Sequence, residues 1–317
     1  MPKPNFIFFG TPDVASKTLD ILKASGYTPT LIVTSPDKPQ GRKMLMTPSP
    51  VKVWAIENNI PFIQPEKTQE LENIIFRRGL ASDGETTSLG RPGTGKAELF
   101  KLQKVRTEEE LIFSNEDEYD FSLVVAYGKI LPESLIKSPR LGSINIHYSL
   151  LPKYRGASPV ESAILAGDTV TGVSIQQMEY KMDSGPILAE ERVEILPTET
   201  TEDLRSRLIK IGGGLLVKML PEFLEGKITS KTQDETEATF CKKIKKEDGH
   251  VDLEAELPSI LYNKFRAYNK WPRIFFFQNS KRIIITDAVL ENGKFVIKKV
   301  LPEGKKEVKY EDFLKQS

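Results

Sequence analysis

Cysteine and histidine are both scarce in this sequence. One cysteine, Cys241, and two histidines, His147 and His250, occur among 317 residues. A single cysteine excludes an intramolecular disulfide and any zinc site built from several cysteines. With so few histidines, each one needs its own explanation.

Long hydrophobic runs are also missing. No apolar stretch approaches the roughly 20 residues that a helix needs to cross a bilayer. The N-terminal sequence MPKPNFIFFGTPD leads almost directly into an apolar segment and lacks the layout of a signal peptide. The composition, 39% hydrophobic and 28% charged, is ordinary for a globular protein. We expect a cytoplasmic protein of one large or two ordinary domains, without membrane contact.

Net charge is nearly absent, at +1, but its distribution is uneven. Residues 241–317 carry 17 Lys and Arg against 11 Asp and Glu, a balance of +6, so residues 1–240 carry −5. A basic C-terminal module suits a polyanionic partner such as a nucleic acid. A solvated lysine-rich face explains the same charge pattern and is favoured when charge is considered alone.

The first half of the chain alternates apolar runs with helix-forming segments. The segment PDVASKTLDILKASG has apolar residues at helical spacing, and PSPVKVWAIENN offers Ser49 as N-cap and Pro50 at the first helical position. This alternation predicts an α/β domain with a mostly parallel sheet. The apolar runs predicted as strands are residues 5–9, 30–35, 60–64 and 121–127.

The following segments predict a hairpin, a broken helix and a small β module. Ser158 and Glu161 resemble a capping box before a helix that ends at Gly167. The helix candidate at residues 200–226 is interrupted by Gly212 to Gly214. We place domain boundaries at 1–206 for the catalytic domain, 207–235 for a linker helix region and 236–317 for the β module. The remaining predicted strands are residues 171–178, 186–195, 239–244, 274–278, 281–290 and 293–301.

Residues 71–118 are rich in Gly, Ser and Thr at first and acidic later, and predict a mobile insertion. Within it, GRPGTGKA at residues 90–97 matches part of a phosphate-binding loop. The match fails at Ala97, which has no hydroxyl for a magnesium ion, and no buried strand precedes it. A glycine-rich surface loop is the favoured interpretation.

Asn145, His147 and Asp183 are the strongest candidates for catalysis. In the extended segment INIH, Asn145 and His147 are two residues apart, so both side chains leave the same face of a sheet. An amide can donate to an oxyanion, an imidazole can donate a hydrogen bond or move a proton, and a carboxylate can orient that ring. Spacing alone still favours an unrelated strand-end histidine and a turn aspartate.

Two long motifs resemble the folate-dependent formyltransferases. They are NIHYSLLPKYRGASP at residues 145–159 and GVSIQQMEYKMDSGPIL at residues 172–188. Further matches narrow the resemblance to the methionyl-tRNA branch of that family, and together they cover residues 4–70 and 119–317. These further motifs are FFGTPDVA, SPDKPQGRKMLMTPSPVK, VVAYGKILP, RAYNKWP and LPEGKKEVKYEDF.

The resemblance implies a Rossmann-like N-terminal formyltransferase domain and a small OB-like C-terminal β-barrel that binds tRNA. It implies formyl transfer from 10-formyltetrahydrofolate, without a metal, to the methionine of initiator methionyl-tRNA, by a monomer. By position match, Asn145 and His147 would stabilise the oxyanion, and Asp183 would orient His147 and help to remove the proton of the amine. Residues implied to bind folate are Tyr127, Gly128, Lys129, Ile130, Leu131, Ser149, Leu150, Leu151, Pro152 and Gly185. Residues implied to bind the substrate or tRNA are Gly10, Thr11, Pro12, Lys38, Arg42, Lys43, Arg155 and Gly156.

Two features depart from the family pattern. The insertion at residues 71–118 has no counterpart. The barrel looks shortened because only KFVIKKV remains between KRIIITDAVLENGK and LPEGKK, where the family has another pair of strands. Two alternative functions stay open. The acceptor could be an amino sugar nucleotide or another small amine, or the chain could be an inactive protein that binds folate or RNA.

Overall fold

The computed structural model describes residues 3–41, 44–68, 71 and 119–315. Three sequence predictions therefore lie outside the described residues. They are the insertion beyond residue 71 with its GRPGTGKA motif, and the tRNA contacts assigned to Arg42 and Lys43. No described helix combines the length and the apolar character that crossing a membrane would require.

The chain divides into two compact units, Met1–Ile144 and Asn145–Ser317. The first unit alternates buried strands with helices. In chain order its described elements are β1 (Phe6–Gly10), α1 (Asp13–Ala24), β2 (Leu31–Val33), β3 (Lys38–Gln40), β4 (Leu45–Thr47), α2 (Pro50–Glu57), β5 (Phe62–Ile63), β6 (Phe121–Val125) and α3 (Glu133–Lys137).

Three strands of the first unit, β1, β2 and β6, are largely apolar because they are covered on both faces. Every residue of β1, β2 and β6 is buried. β1 pairs in parallel with β2 and β6, and β2 pairs in parallel with β5. Helix α2 begins as predicted, because the Ser49 hydroxyl accepts a hydrogen bond from the backbone N–H of Lys52 at 3.1 Å. The predicted α/β organisation is confirmed.

The second unit contains the rest of the sheet, a long helix and the C-terminal module. β7 (Ser143–His147) reaches into it from the first unit. Its other elements are β8 (Arg155–Gly156), α4 (Pro159–Ala166), β9 (Val170–Gln177), β10 (Ile187–Glu194), α5 (Thr201–Leu224), β11 (Phe240–Cys241), α6 (Pro258–Ala267), β12 (Phe275–Gln278), β13 (Lys281–Glu291), β14 (Lys294–Pro302), β15 (Val308–Lys309) and α7 (Tyr310–Leu314), with short 3₁₀ helices at Glu235–Glu237 and Lys246–Gly249.

The main sheet has seven strands in the order β10-β9-β7-β6-β1-β2-β5. β9 and β10 form the predicted antiparallel hairpin. A separate four-stranded antiparallel sheet, in the order β12-β13-β14-β15, forms the C-terminal module. Both observations agree with the fold class expected from the sequence.

The predicted break of helix α5 at Gly212 to Gly214 is wrong. The helix runs without interruption, starting from a capping box of Thr200 and Asp203, and it crosses the predicted domain boundary at residue 206. A Cβ atom on Gly212 would lie 3.1 Å from Val173 and 3.2 Å from Ile146. The glycine therefore allows close packing of the helix on the sheet, and this packing outweighs its poor helix propensity.

Two smaller predictions are also wrong. Ser158 makes no side-chain cap for α4, and its backbone N–H donates to Cys241 Sγ at 3.3 Å. The predicted partner Glu161 instead forms an ion pair with Arg205. The segment Phe240–Cys241 pairs in parallel with Arg155–Gly156 rather than with strands of the C-terminal module. Local sequence does not reveal these pairings because each partner is distant along the chain.

Candidate active site

The carboxyl ends of the parallel strands in the first unit carry a polar cluster. Thr11 follows β1, and its hydroxyl lies 3.0 Å from the hydroxyl of Ser35, which lies beyond β2. Thr11 also donates to the backbone carbonyl of Tyr127, beyond β6, at 3.1 Å. Gln64, beyond β5, donates to the carbonyl of Ser35 at 2.8 Å. Ligands of open α/β sheets bind at such strand ends, so this cluster is a candidate binding surface.

Tyr127, whose backbone carbonyl belongs to this cluster, has a buried side-chain hydroxyl. The hydroxyl has no hydrogen-bond partner among the described residues, and burial raises the pKa of Tyr127 to about 12. The phenol is therefore neutral at physiological pH and keeps a donor and an acceptor for a ligand. Close to it, Lys129 is occupied by the backbone carbonyls of Pro65 and Glu66, at 2.7 and 2.9 Å.

The remaining predicted residues of the first unit differ in exposure. Gly10 is buried, and a Cβ atom there would lie 2.6 Å from Phe8 and 2.7 Å from Ala15. Ile130 and Lys38 are exposed, whereas Leu131 is buried. Gly128 has a φ of +80°, which favours glycine at the turn after Tyr127. Pro12 is the N-cap residue of α1.

Asn145, His147 and Asp183 are brought together in the second unit. His147 Nδ1 lies 3.8 Å from Asp183 Oδ2, and both side chains are mostly buried. Gln176 joins the group, because its amide Nε2 lies 3.0 Å from Asp183 Oδ1 and 3.3 Å from Asn145 Oδ1. This convergence removes the alternative of a histidine and an aspartate that are unrelated in space.

The tautomer of His147 follows from a second contact. Its Nε2 lies 2.9 Å from the backbone carbonyl of Tyr154. Because a carbonyl only accepts, Nε2 carries the shared proton, and Nδ1 is the nitrogen that faces Asp183. Nδ1 is a donor only when the ring is protonated.

Asp183 is held in an unusual backbone conformation. Its φ of +52° lies in the left-handed region, where non-glycine residues are uncommon. Two groups hold its carboxylate, the backbone N–H of Gly156 at 2.8 Å and the amide of Gln176. Gln233 holds the turn by donating to the carbonyls of Asp183 and Gly185, at 2.9 and 2.7 Å. The carboxylate is thus positioned before any ligand binds.

Arg155 and Gly156 have structural environments rather than open ones. Arg155 is fully buried, and its guanidinium donates to Gln233 at 2.7 Å and pairs with Glu235 at 2.7 Å. A Cβ atom on Gly156 would lie 2.3 Å from the carbonyl oxygen of Cys241. Placement therefore favours a scaffolding role for both residues over the tRNA contact implied by the sequence. The thiol of Cys241 has a raised pKa because it is buried.

Two hydrogen bonds to the side chain of Ser174, on β9, fix the backbone of the Ser149–Pro152 stretch. Ser174 donates to the carbonyl of Ser149 at 2.9 Å and accepts from the N–H of Leu151 at 3.0 Å. The Leu151–Pro152 peptide is cis. Leu150, Leu151 and Pro152 line a cavity of about 420 Å³, and none of Asn145, His147 and Asp183 lines it.

Sequence reasoning missed Gln176, Gln233 and Tyr154. A signal existed for Gln176, because Ser174 and Gln176 are two residues apart on a strand, as are Asn145 and His147. No sequence signal marks Gln233 or the carbonyl of Tyr154. Among the described residues, no group of three or more His, Cys, Asp and Glu side chains is arranged to hold a metal ion.

Gly185 provides a stability prediction for this site. A Cβ atom there would lie 1.8 Å from the carbonyl oxygen of Gln177, so Gly185→Ala must displace the turn that holds Asp183. We expect a loss of about 1–3 kcal/mol in the free energy of unfolding, measured by urea denaturation. The control is Gly214→Ala in α5, where a Cβ atom meets nothing within 4 Å. It should raise stability by about 0.5–1 kcal/mol, and equal stabilities of the two variants would contradict this packing.

Comparison with models of known protein families identifies the family of this chain. Residues 4–220 match the model described as formyl transferase, and residues 243–296 match the formyl transferase C-terminal domain. The first match covers more than half of the chain. The chain therefore belongs to the formyl transferase family.

Individual proteins that resemble this chain include methionyl-tRNA formyltransferases. The chain is 38% identical, over 90% of its length and 80% of the relative's, to a methionyl-tRNA formyltransferase of Chloroflexus aggregans. A methionyl-tRNA formyltransferase structure from Clostridium thermocellum matches 96% of this chain and 99% of its own, with a TM-score of 0.54 and 16% identity. An N-formyltransferase from Helicobacter canadensis, solved with folinic acid and dTDP-3-aminofucose, covers 91% and 88%, with a TM-score of 0.61 and 15% identity. The two structures support the fold alone.

Proposed function

We propose that this protein transfers the formyl group of 10-formyltetrahydrofolate to the α-amino group of methionyl initiator tRNA, giving formylmethionyl-tRNA for translation initiation. The convergence of Asn145, His147 and Asp183 within one unit carries the proposal. Family membership and the 38% identical relative support the reaction and the acceptor.

Asn145 is proposed to stabilise the negative charge that develops on the formyl oxygen. Its Oδ1 accepts from Gln176, so its Nδ2 is the donor end of the amide. A fixed donor of this kind acts in the transition state without reorganising and contributes about 10²–10³-fold to rate. His147 assists from Nδ1 once that nitrogen has received the proton of the amine through Asp183, because its Nε2 is already bound to the carbonyl of Tyr154.

Asp183 is proposed to accept the proton of the attacking amine. An α-amino group has an ordinary pKa near 8, so only modest assistance from a base is needed at neutral pH. The amine nitrogen bonds to the formyl carbon as the bond from that carbon to N10 of the folate breaks. The proton passes from the amine through Asp183 and His147 to N10, so these two residues act as one proton-holding pair.

Two sets of residues are proposed to contact the folate. They are the Tyr127–Leu131 stretch in the first unit, and the Ser149–Pro152 stretch with Gly185 in the second. Two observations fit such a ligand. The hydroxyl of Tyr127 is buried without a partner among the described residues, and the backbone of the Ser149–Pro152 stretch is fixed by Ser174. Bound 10-formyltetrahydrofolate supplies the formyl group, and these residues orient it.

The tRNA would be contacted by both units. Gly10, Thr11, Pro12 and Lys38 are proposed to contact the acceptor end, together with Arg42 and Lys43. The hairpin of β3 and β4 supports this role, because Met44 beside β4 and Leu45 and Met46 within it are exposed apolar side chains, as at interaction surfaces. We assign the C-terminal module, residues 236–317, to the tRNA body because of its excess of basic residues.

Phe277 gives a test of the C-terminal contact. Its ring is 58% exposed and lies 5.7 Å from the ring of His250, and unpaired RNA bases stack on such rings. We expect Phe277→Leu to weaken tRNA binding by about tenfold, within the 1–3 kcal/mol typical of one stacked base, in a filter-binding assay. Leu314→Ala removes a similarly exposed apolar side chain and is the control. Equal affinities of both variants and wild type would contradict the contact.

An assay with different formyl acceptors distinguishes the proposed function from its two alternatives. Purified protein is supplied with 10-formyltetrahydrofolate and either methionyl initiator tRNA, methionyl elongator tRNA or an amino sugar nucleotide. We expect rapid formylation of the initiator tRNA alone. Formylation of the sugar nucleotide without the tRNA would favour a small-amine acceptor, and binding of folate and tRNA without turnover would favour an inactive homologue.

The substrate also suggests location and assembly. Charged initiator tRNA is used where proteins are made, so we propose a cytoplasmic protein. We propose a monomer, as the resemblance to the family implies. Light scattering of the purified protein tests the assembly, and a stable dimer would contradict it.

A further inference from the structure

Gln176 links two candidate catalytic residues, Asn145 and Asp183, through one amide group. It lies on β9, is almost fully buried, and its amide nitrogen serves both Asp183 Oδ1 and Asn145 Oδ1. One side chain therefore fixes a carboxylate and an amide at the same time.

The orientation of the Gln176 amide is determined by these neighbours. A flipped amide would place Oε1 against two oxygen acceptors and would lose both hydrogen bonds. With Nε2 directed at them, Asn145 uses its oxygen as the acceptor and Nδ2 remains its donor end. Asp183 likewise uses Oδ1 for Gln176, while Oδ2 meets the N–H of Gly156 and faces His147.

The oxygen of the Gln176 amide lowers the stability of the fold. Gln176 Oε1 is buried and has no hydrogen-bond partner among the described residues. A buried acceptor without a partner is destabilising, and an apolar side chain of similar size would avoid that penalty. Stability alone therefore does not explain a glutamine at this position.

We propose that Gln176 is a positioning residue for formyl transfer, which sets the donor direction of Asn145 and the carboxylate of Asp183. This inference rests on the proposed function. Its action is indirect, since its contacts are with Asn145 and Asp183 rather than with the reacting atoms.

Gln176→Met separates positioning from a role in stability. Methionine has a similar volume and removes both the two hydrogen bonds and the unpartnered oxygen. We expect little change or a modest loss of stability in urea denaturation, because the gain from removing the unpartnered oxygen is offset by the donor that Asp183 and Asn145 lose. The kcat of the folded variant should fall by about 10- to 100-fold at nearly constant KM for methionyl-tRNA. Gln177→Met, at the next position of the strand and therefore on the opposite face, is the matched control and should keep wild-type kcat.

Gln176→Glu adds a pH signature that a structural role would not produce. In this variant an ionised carboxylate faces two oxygen acceptors and repels Asp183, whereas a protonated carboxyl can still donate to Asp183. The activity of the variant relative to wild type should therefore fall as pH rises. A pH-independent ratio would contradict electrostatic positioning.

Two failures can be told apart. If the wild-type protein does not formylate methionyl-tRNA, the proposed function fails. If wild type is active and Gln176→Met keeps more than half of its kcat, or loses kcat only in proportion to folded protein, the positioning role is wrong. In an Asp183→Asn background, Gln176→Met should cost much less than in wild type, because the two residues act as one unit.

Discussion

Asp183→Asn should lower kcat/KM for methionyl-tRNA by about 10²–10⁴-fold, the range for a lost general acid or base. The amide cannot take the proton of the amine. It also cannot accept from both Gly156 and Gln176, because one of its two terminal atoms is now a donor. Rate measurements at saturating folate, with the unfolding free energy measured in parallel, separate the chemical loss from instability.

Glu235→Gln is the control for Asp183→Asn. It also removes a carboxylate charge from the second unit, at a residue that pairs with Arg155 and Lys181 and is half exposed. We expect less than about a threefold change, because glutamine keeps an oxygen that can accept from the buried guanidinium of Arg155. If Asp183→Asn kept more than about a tenth of wild-type kcat/KM, the proposed role of Asp183 would be wrong.

His147→Ala should also lower kcat by about 10²–10⁴-fold. The truncation removes the nitrogen that faces Asp183 and the N–H that donates to the carbonyl of Tyr154. The loss should appear in kcat more than in KM, because the ring acts on charge that develops during the reaction.

Imidazole rescue tests the same residue in a different way. Free imidazole can enter the space left by His147→Ala and restore part of the rate. In His147→Phe a ring without nitrogens fills that space, so no rescue is expected. A His147→Phe variant within tenfold of wild type would show that the imidazole nitrogens are dispensable.

The buried strands of the sheet and the start of α2 were predictable because their causes are local. β1, β2 and β6 are short, largely apolar runs, and the start of α2 is marked by two adjacent residues, Ser49 and Pro50. The same local reasoning went wrong at Gly212, where helix propensity was outweighed by packing against Val173 and Ile146.

The candidate site was predictable only in part. The i, i+2 spacing of Asn145 and His147 places them on one face, but the approach of Asp183 depends on a turn held by Gln233, 50 residues away along the chain. Arg155 has the residue type of an RNA contact, and only the structure shows that it is buried against Gln233 and Glu235. Such long-range partners leave no periodic signal in a single sequence.

Single-turnover formylation of methionyl initiator tRNA, by wild type and Asp183→Asn side by side, tests the central claim most directly. The product is identified by the mass of N-formylmethionine released from the tRNA. The account predicts formylmethionine with wild type and a rate at least tenfold lower with Asp183→Asn, at equal tRNA binding. No formylmethionine with wild type, or equal rates for the two proteins, would contradict it.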